Sequence, residues 1–145
     1  QKVILVPEIE NYFNGDLKDK KIAIWGLAFK ANTDDIREAS SLDNIALLLE
    51  KGATITAYDT IAEENVKKLL GDKISYVDDM YKALEDADAL LIATEWPQFK
   101  NPNFELMASK MKNKVIFDGR NMFSLELPAN NGFYYKSIGR KLIKN

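Results

Sequence analysis

Residues 22–40, IAIWGLAFKANTDDIREAS, bring Phe29, Lys30, Asp34, Asp35 and Arg37 together directly after a short apolar run. A lysine ammonium is a point charge for phosphate, and an arginine guanidinium is a planar fork for two oxygens. Two further sets follow: Thr94-Glu95-Trp96-Pro97 with Phe99, and Asp118-Gly119-Arg120-Asn121. Arg120 is a second fork, suited to phosphate or a base edge, while Trp96 and Phe99 suit either a pocket wall or core packing. A plainer account stands beside each cation: Lys30 solvated, Arg37 paired with Asp34, Asp35 or Glu38, and Arg120 paired with Asp118. The chain has no Cys and no His. Thiol nucleophiles, disulfides, His bases and Cys/His metal sites are therefore excluded within it. A cysteine-free composition fits a cytosolic setting.

These side chains need elements to hold them. Lys21–Trp25 reads as a strand that breaks at Gly26, and Leu42, Ile45, Ala46, Leu48 and Leu49 recur at helical spacing. Ser40 or Ser41 is the expected N-cap of that helix and Gly52 its stop. Strands are expected at 53–58, 74–77, 89–93, 115–117 and 133–138, with helices at 63–70, 80–85 and 104–111. Strands alternating with helices predict an α/β, Rossmann-like three-layer sandwich with a mostly parallel six-stranded sheet, order 3-2-1-4-5-6. In that order the loops after strands one, four and five share one rim, which is where open α/β sheets place ligands.

Residues 1–15 stand apart. Pro7 suits a first helical position, with Ile9, Tyr12 and Phe13 on one face and an Asn14-Gly15 turn signal after them. This is either a short docked helix or the tail of a longer one, so the division is 1–15 and 16–145. With 145 residues, 46% apolar, 29% charged and a net charge of −2, the chain suits one ordinary globular domain. Nothing in it is a polycationic footprint for nucleic acid or anionic membrane, and no apolar run approaches the ~20 residues of a span.

Gly26 is a single glycine where a dinucleotide fingerprint has three. Leu27, Ala28 and Phe29 fill the turn, so this domain is not expected to hold NAD in the usual way. Asp59 ends the second strand, at the place of a ribose-binding acid, and reads instead as a turn or cap residue.

The motifs WGLAFKANTDDIREAS, ATEWPQF and FDGRN, in this order and spacing, resemble the C-terminal, UDP-binding domain of the UDP-glucose/GDP-mannose dehydrogenase family, over residues 16–140. Trp25, the Glu95-Trp96 pair and Asn121 favour the UDP-glucose branch over the GDP-mannose and UDP-N-acetylmannosamine branches. The resemblance implies that Phe29 and Lys30 touch the substrate, with Lys30 near the diphosphate, and that Arg120 also binds it. It implies that Arg37 reaches an NAD bound by another domain. Two NAD-linked oxidations of UDP-glucose at C6 would run through a catalytic Cys, which the family carries in a central domain that precedes this one. The chain would then be non-catalytic alone, its partners being the N-terminal and central domains and, through the central helix ending at residues 1–15, a second copy. A cytoplasmic setting is implied, with neither nucleic acid nor membrane as partner.

Two other classes share part of the pattern. A phosphoacceptor receiver domain also uses clustered acids and a Thr after strand four, which Asp34, Asp35, Asp59 and Thr94 superficially supply. Its Lys is replaced here by Arg120, and the two are not interchangeable at such a site. A stand-alone NAD- or CoA-binding regulatory module would need the missing glycines.

Overall fold

The computed structural model describes residues 4–28, 30–37 and 39–137. Six strands, β1 (Lys21–Trp25), β2 (Thr54–Tyr58), β3 (Ser75–Tyr76), β4 (Ala89–Ile92), β5 (Val115–Asp118) and β6 (Tyr134–Ser137), form one sheet in the order β3-β2-β1-β4-β5-β6. Every adjacent pair is parallel, with Ile22 opposite both Ile55 and Ala89, and Leu90 opposite Ile116. The expected order is present, and the sheet is wholly rather than mostly parallel. β1 and β4 are adjacent at the point where the winding reverses.

Alternation along the central strands divides the core. Ile22 and Ile24, with Leu91, Val115 and Phe117, face Val6, Ile9, Ile45, Leu48 and Val66. Those residues belong to helices α1 (Val6–Tyr12), α2 (Ser40–Glu50) and α3 (Glu63–Leu70). Ala23, Trp25, Leu90, Ile92 and Ile116 point to the other face and meet Leu84, Phe99, Phe104 and Met107. There the cover is α4 (Phe104–Lys110) and short 3-10 turns at Lys82–Leu84 and Pro97–Phe99. Burial on both faces is why β1 and β4 read as unbroken apolar runs.

α1 is docked on this core: Val6 and Ile9 are buried, and Leu5 N–H donates to Asn44 Oδ1 of α2 at 2.8 Å. Several boundaries differ from expectation. α2 is not capped by a serine; Ala39 is its N-cap and no side chain caps it. β3 has two residues, and the segment expected as a helix over 80–85 is one 3-10 turn. α5 (Glu126–Asn130) was not anticipated because Pro128 lies within it. Pro is tolerated there, since first-turn amides have no intrahelical acceptor to lose. The last strand is an edge strand, as expected, and its predicted extension to Ile138 lies outside the described residues.

Candidate functional site

The loop after β1 is pinned at both of its first peptides. Gly26 has φ 99°, and a Cβ placed on it would lie 2.3 Å from Thr94 Cβ and 2.7 Å from the Thr94 backbone N. Only glycine permits that approach between the ends of β1 and β4. Leu27 N–H and Ala28 N–H both donate to Asp59 Oδ2, at 2.7 and 3.2 Å. The Leu27 carbonyl accepts from Ser41 Oγ at 2.7 Å, and the Ala28 carbonyl from Thr94 Oγ1 at 2.8 Å. Ser41, expected as a helix cap, thus turns inward from α2 to hold this loop.

Asp59 is the hub. It is 4% exposed, and Oδ2 also accepts from Trp96 Nε1 at 3.1 Å while Oδ1 accepts from Ile61 N–H and Ala62 N–H at 2.9 Å each. The turn or cap role expected of it is the Oδ1 half; the Oδ2 half, which spans to two other loops, was missed. A phosphoacceptor aspartate must present a free oxygen to solvent, and this one is committed to five donors. The receiver reading fails on that ground.

A dinucleotide does not fit the β1 turn of this chain. In a Rossmann domain the amides of that turn meet pyrophosphate. Here those of Leu27 and Ala28 are already taken by the protein's own carboxylate. An anion on this rim would have to find donors other than those two amides.

Arg120 follows β5 in a turn built by Asp118. That carboxylate is 0% exposed and accepts from Arg120 N–H at 2.8 Å, Met122 N–H at 2.6 Å and Tyr135 Oη at 2.7 Å. Asn121 takes the left-handed conformation in the turn, φ 56°, which Asn tolerates better than most residues. Burial and the Asp118 charge drive the Tyr135 phenol far above the ordinary tyrosine range. With Asp118 occupied by backbone and phenol, the Arg120 guanidinium pairs instead with Glu95, Nη2 to Oε1 at 2.6 Å. The Arg120–Asp118 ion pair, the plainer alternative to a ligand role, is not formed.

Glu95, Pro97, Lys100, Arg120, Asn121 and Met122 line an open cleft of ≈ 260 Å3 between the β4 and β5 loops. Lys100 was not singled out in the sequence, where it is one exposed lysine among many. A second cleft of ≈ 290 Å3 at the end of β2 has the opposite character, lined by Tyr58, Asp59, Thr60, Glu63, Glu64 and Asp78. Burial raises the Glu63 carboxyl above its ordinary value. A phosphate would be repelled there.

The structure separates the candidate cations. Lys30 is exposed after β1, with no ion pair to another described residue, and does not line the Arg120 cleft. Arg37 is claimed by Asp35, through Nε at 3.0 Å and Nη2 at 2.9 Å, with side chains 86% and 35% exposed. The hydrogen bonds from Arg37 lower the Asp35 carboxyl to about 2. Phe29 lies outside the described residues. Trp96 and Phe99 are buried rather than walls of an open pocket: Phe99 stacks on Trp25 with ring centroids 5.0 Å apart, and Trp96 spends its indole N–H on Asp59. Among the described residues no group of three or more His, Cys, Asp or Glu could hold a metal ion, and no helix is long and apolar enough to cross a membrane.

Sheet order and rim together define a doubly wound α/β domain of Rossmann type, with cations on the rim in place of a glycine-rich turn. Residues 23–125 match the family model of the UDP-glucose/GDP-mannose dehydrogenase family, UDP binding domain. The chain is 44% identical over 130 residues to UDP-glucose 6-dehydrogenase TuaD of Bacillus subtilis, covering 90% of this chain and 28% of that protein. The UDP-glucose dehydrogenase structure from Pyrobaculum islandicum superposes with a TM-score of 0.76 at 34% identity, over 90% of this chain and 28% of that one. The UDP-D-ManNAc dehydrogenase structure from Pyrococcus horikoshii gives 0.73 at 32% identity, over 94% and 29%. The chain belongs to the UDP-glucose/GDP-mannose dehydrogenase family, as its UDP binding domain.

Proposed function

We propose that this chain supplies the UDP-holding part of an NAD-dependent UDP-glucose 6-dehydrogenase, which oxidises UDP-glucose to UDP-glucuronate in two steps in the cytoplasm. The observation that carries the reading is Arg120, whose backbone is fixed by buried Asp118 and whose guanidinium is held by Glu95 on the wall of an open cleft. One hydrogen bond from Nη2 leaves Nε and Nη1 for a diphosphate, and Lys100 lines the same cleft. Lys30, with Phe29 beside it in sequence, contacts the UDP-sugar from the β1 loop. Arg37 faces NAD carried by another domain, since the β1 turn of this one does not fit a dinucleotide.

Residues 1–15 end a linker helix and residues 16–145 are the UDP-sugar domain. The partners are the N-terminal and central domains of the same enzyme and a second copy joined through the linker helix. In this reading the bond-making steps run on a Cys of the central domain, which a chain without Cys does not supply. Its contribution is binding energy on the UDP handle, remote from the sugar C6, which holds the reacting carbon in register with groups elsewhere.

Calorimetric titration of the chain with UDP, GDP and NAD tests this. UDP should bind in preference to the others. Lys30→Ala and Arg120→Ala should each weaken it by about tenfold or more, as expected for loss of a charge-assisted contact. Tighter binding of NAD or GDP than of UDP would sink the reading.

A further inference from the structure

We propose that Asp59 is the positioning residue that sets both cations of the UDP site, although its carboxylate is spent on the protein's own donors. The inference rests on the reading that Lys30 and Arg120 hold UDP.

Two branches leave Oδ2. The first runs through Leu27 N–H and Ala28 N–H, and Lys30 lies two residues beyond Ala28. Ser41 Oγ and Thr94 Oγ1 hold the carbonyls of the same two residues, so with Asp59 they decide where the chain stands as it enters the Lys30 segment. The second branch runs through Trp96 Nε1, and the residue before Trp96 is Glu95, which holds the Arg120 guanidinium. One oxygen thus ties together the β1 and β4 loops, and through Glu95 the position of a β5-loop cation.

The residue type follows from the donor set. Five N–H groups converge on two oxygens, and no Lys or Arg is among the partners, so the site calls for an acceptor-only group. Asparagine is not conservative here. Whichever way its amide is turned, its NH2 faces two or three N–H donors. A carboxylate at the end of the second strand is what a dinucleotide fold uses on a ribose. In this chain it is turned inward and fixes the geometry of a rim that binds by side chains.

The test uses the whole chain, well below its unfolding midpoint, so that a change in affinity reports on the folded state. Trp96→Phe removes one donor and keeps an aromatic ring in place. It should weaken UDP binding by about tenfold, the size of one charge-assisted hydrogen bond. The loss should vanish in an Arg120→Ala background and persist in a Lys30→Ala background. Asp59→Asn, which disturbs both branches, should lose in both backgrounds. If it does not fold, Trp96→Phe carries the test alone.

A merely structural role predicts the other pattern: lower thermal midpoints with wild-type affinity in Trp96→Phe, which would overturn the proposal. A second readout needs no ligand. In NMR spectra of the free chain, Trp96→Phe should move the Arg120 side-chain Nε–H resonance, and an unmoved resonance also overturns the proposal. If the wild-type chain does not bind UDP while that resonance moves, the UDP reading fails and the positioning role stands.

Discussion

Two aspartates on neighbouring loops of this domain hold N–H donors, and their surroundings give those bonds opposite weight. Asp59 is buried and collects five donors from three loops, none of them charged. Asp35 sits in the partly exposed 30–37 segment and holds Arg37 two residues away, by two side-chain bonds and one backbone bond. An orphaned donor in the interior loses its partner and cannot recover it from water, whereas a surface donor turns to solvent at little cost. The buried junction is therefore scaffold. The exposed segment is left with a pair that an incoming ligand can open cheaply.

Breaking the junction should give the largest effect. Gly26→Ala would place a methyl group 2.3 Å from Thr94 Cβ at a backbone φ of 99°. Overpacking together with the left-handed penalty suggests a loss of about 3–5 kcal/mol in denaturant unfolding. A loss under 1 kcal/mol would mean that the β1 and β4 ends are not locked together.

Tyr135→Phe probes the third carboxylate, Asp118, which is buried like Asp59 but also hydrogen-bonded by a titratable group. The variant leaves Asp118 Oδ2 with Met122 N–H alone and should cost about 1–2 kcal/mol at neutral pH. The sign of the pH dependence follows from the raised phenol pKa. Its contribution is complete below the ordinary tyrosine value and is lost as pH rises from there toward the folded value. The stability gap between wild type and variant should accordingly narrow at alkaline pH, and a gap that widens would contradict the assignment.

What could be read from the residues alone divides along the same line. The central strands β1 and β4 were legible because burial on both faces makes them apolar runs. The alternation of strands and helices then left one simple order. The Arg37–Asp35 pair was among the partners expected, because both residues lie in one short segment. The Asp59 junction was not legible: its Oδ2 donors lie 31, 32 and 37 residues away in sequence. The same holds for Ser41 and Thr94, whose carbonyl partners are 14 and 66 residues distant. Asp59 and Ser41 read locally as turn or cap residues, and Thr94 as the first polar residue after a strand. Arg120 misled for the converse reason. Asp118 is its nearest acid in sequence, but that carboxylate is taken by backbone amides and a phenol, so the cation reaches Glu95, 25 residues away.

Arg37→Ala tests the exposed half of the comparison and should give the smallest effect. Asp35 is lowered from 3.8 to about 2, chiefly by the hydrogen bonds from the Arg37 side chain and backbone. A depressed carboxylate contributes fully above its unfolded value, and the contribution fades as pH falls through the folded one. The pair should thus persist until the pH drops from about 4 toward 2. Because both groups are solvated, the variant should leave the thermal midpoint at neutral pH unchanged within error. Its signature is spectroscopic: the Asp35 side-chain carboxyl resonance should titrate near 2 in the wild type and return toward the ordinary aspartate value in Arg37→Ala. A drop in the thermal midpoint like that of Tyr135→Phe would show that the 30–37 segment is scaffold too. The division between a fixed junction and an openable rim would then be lost.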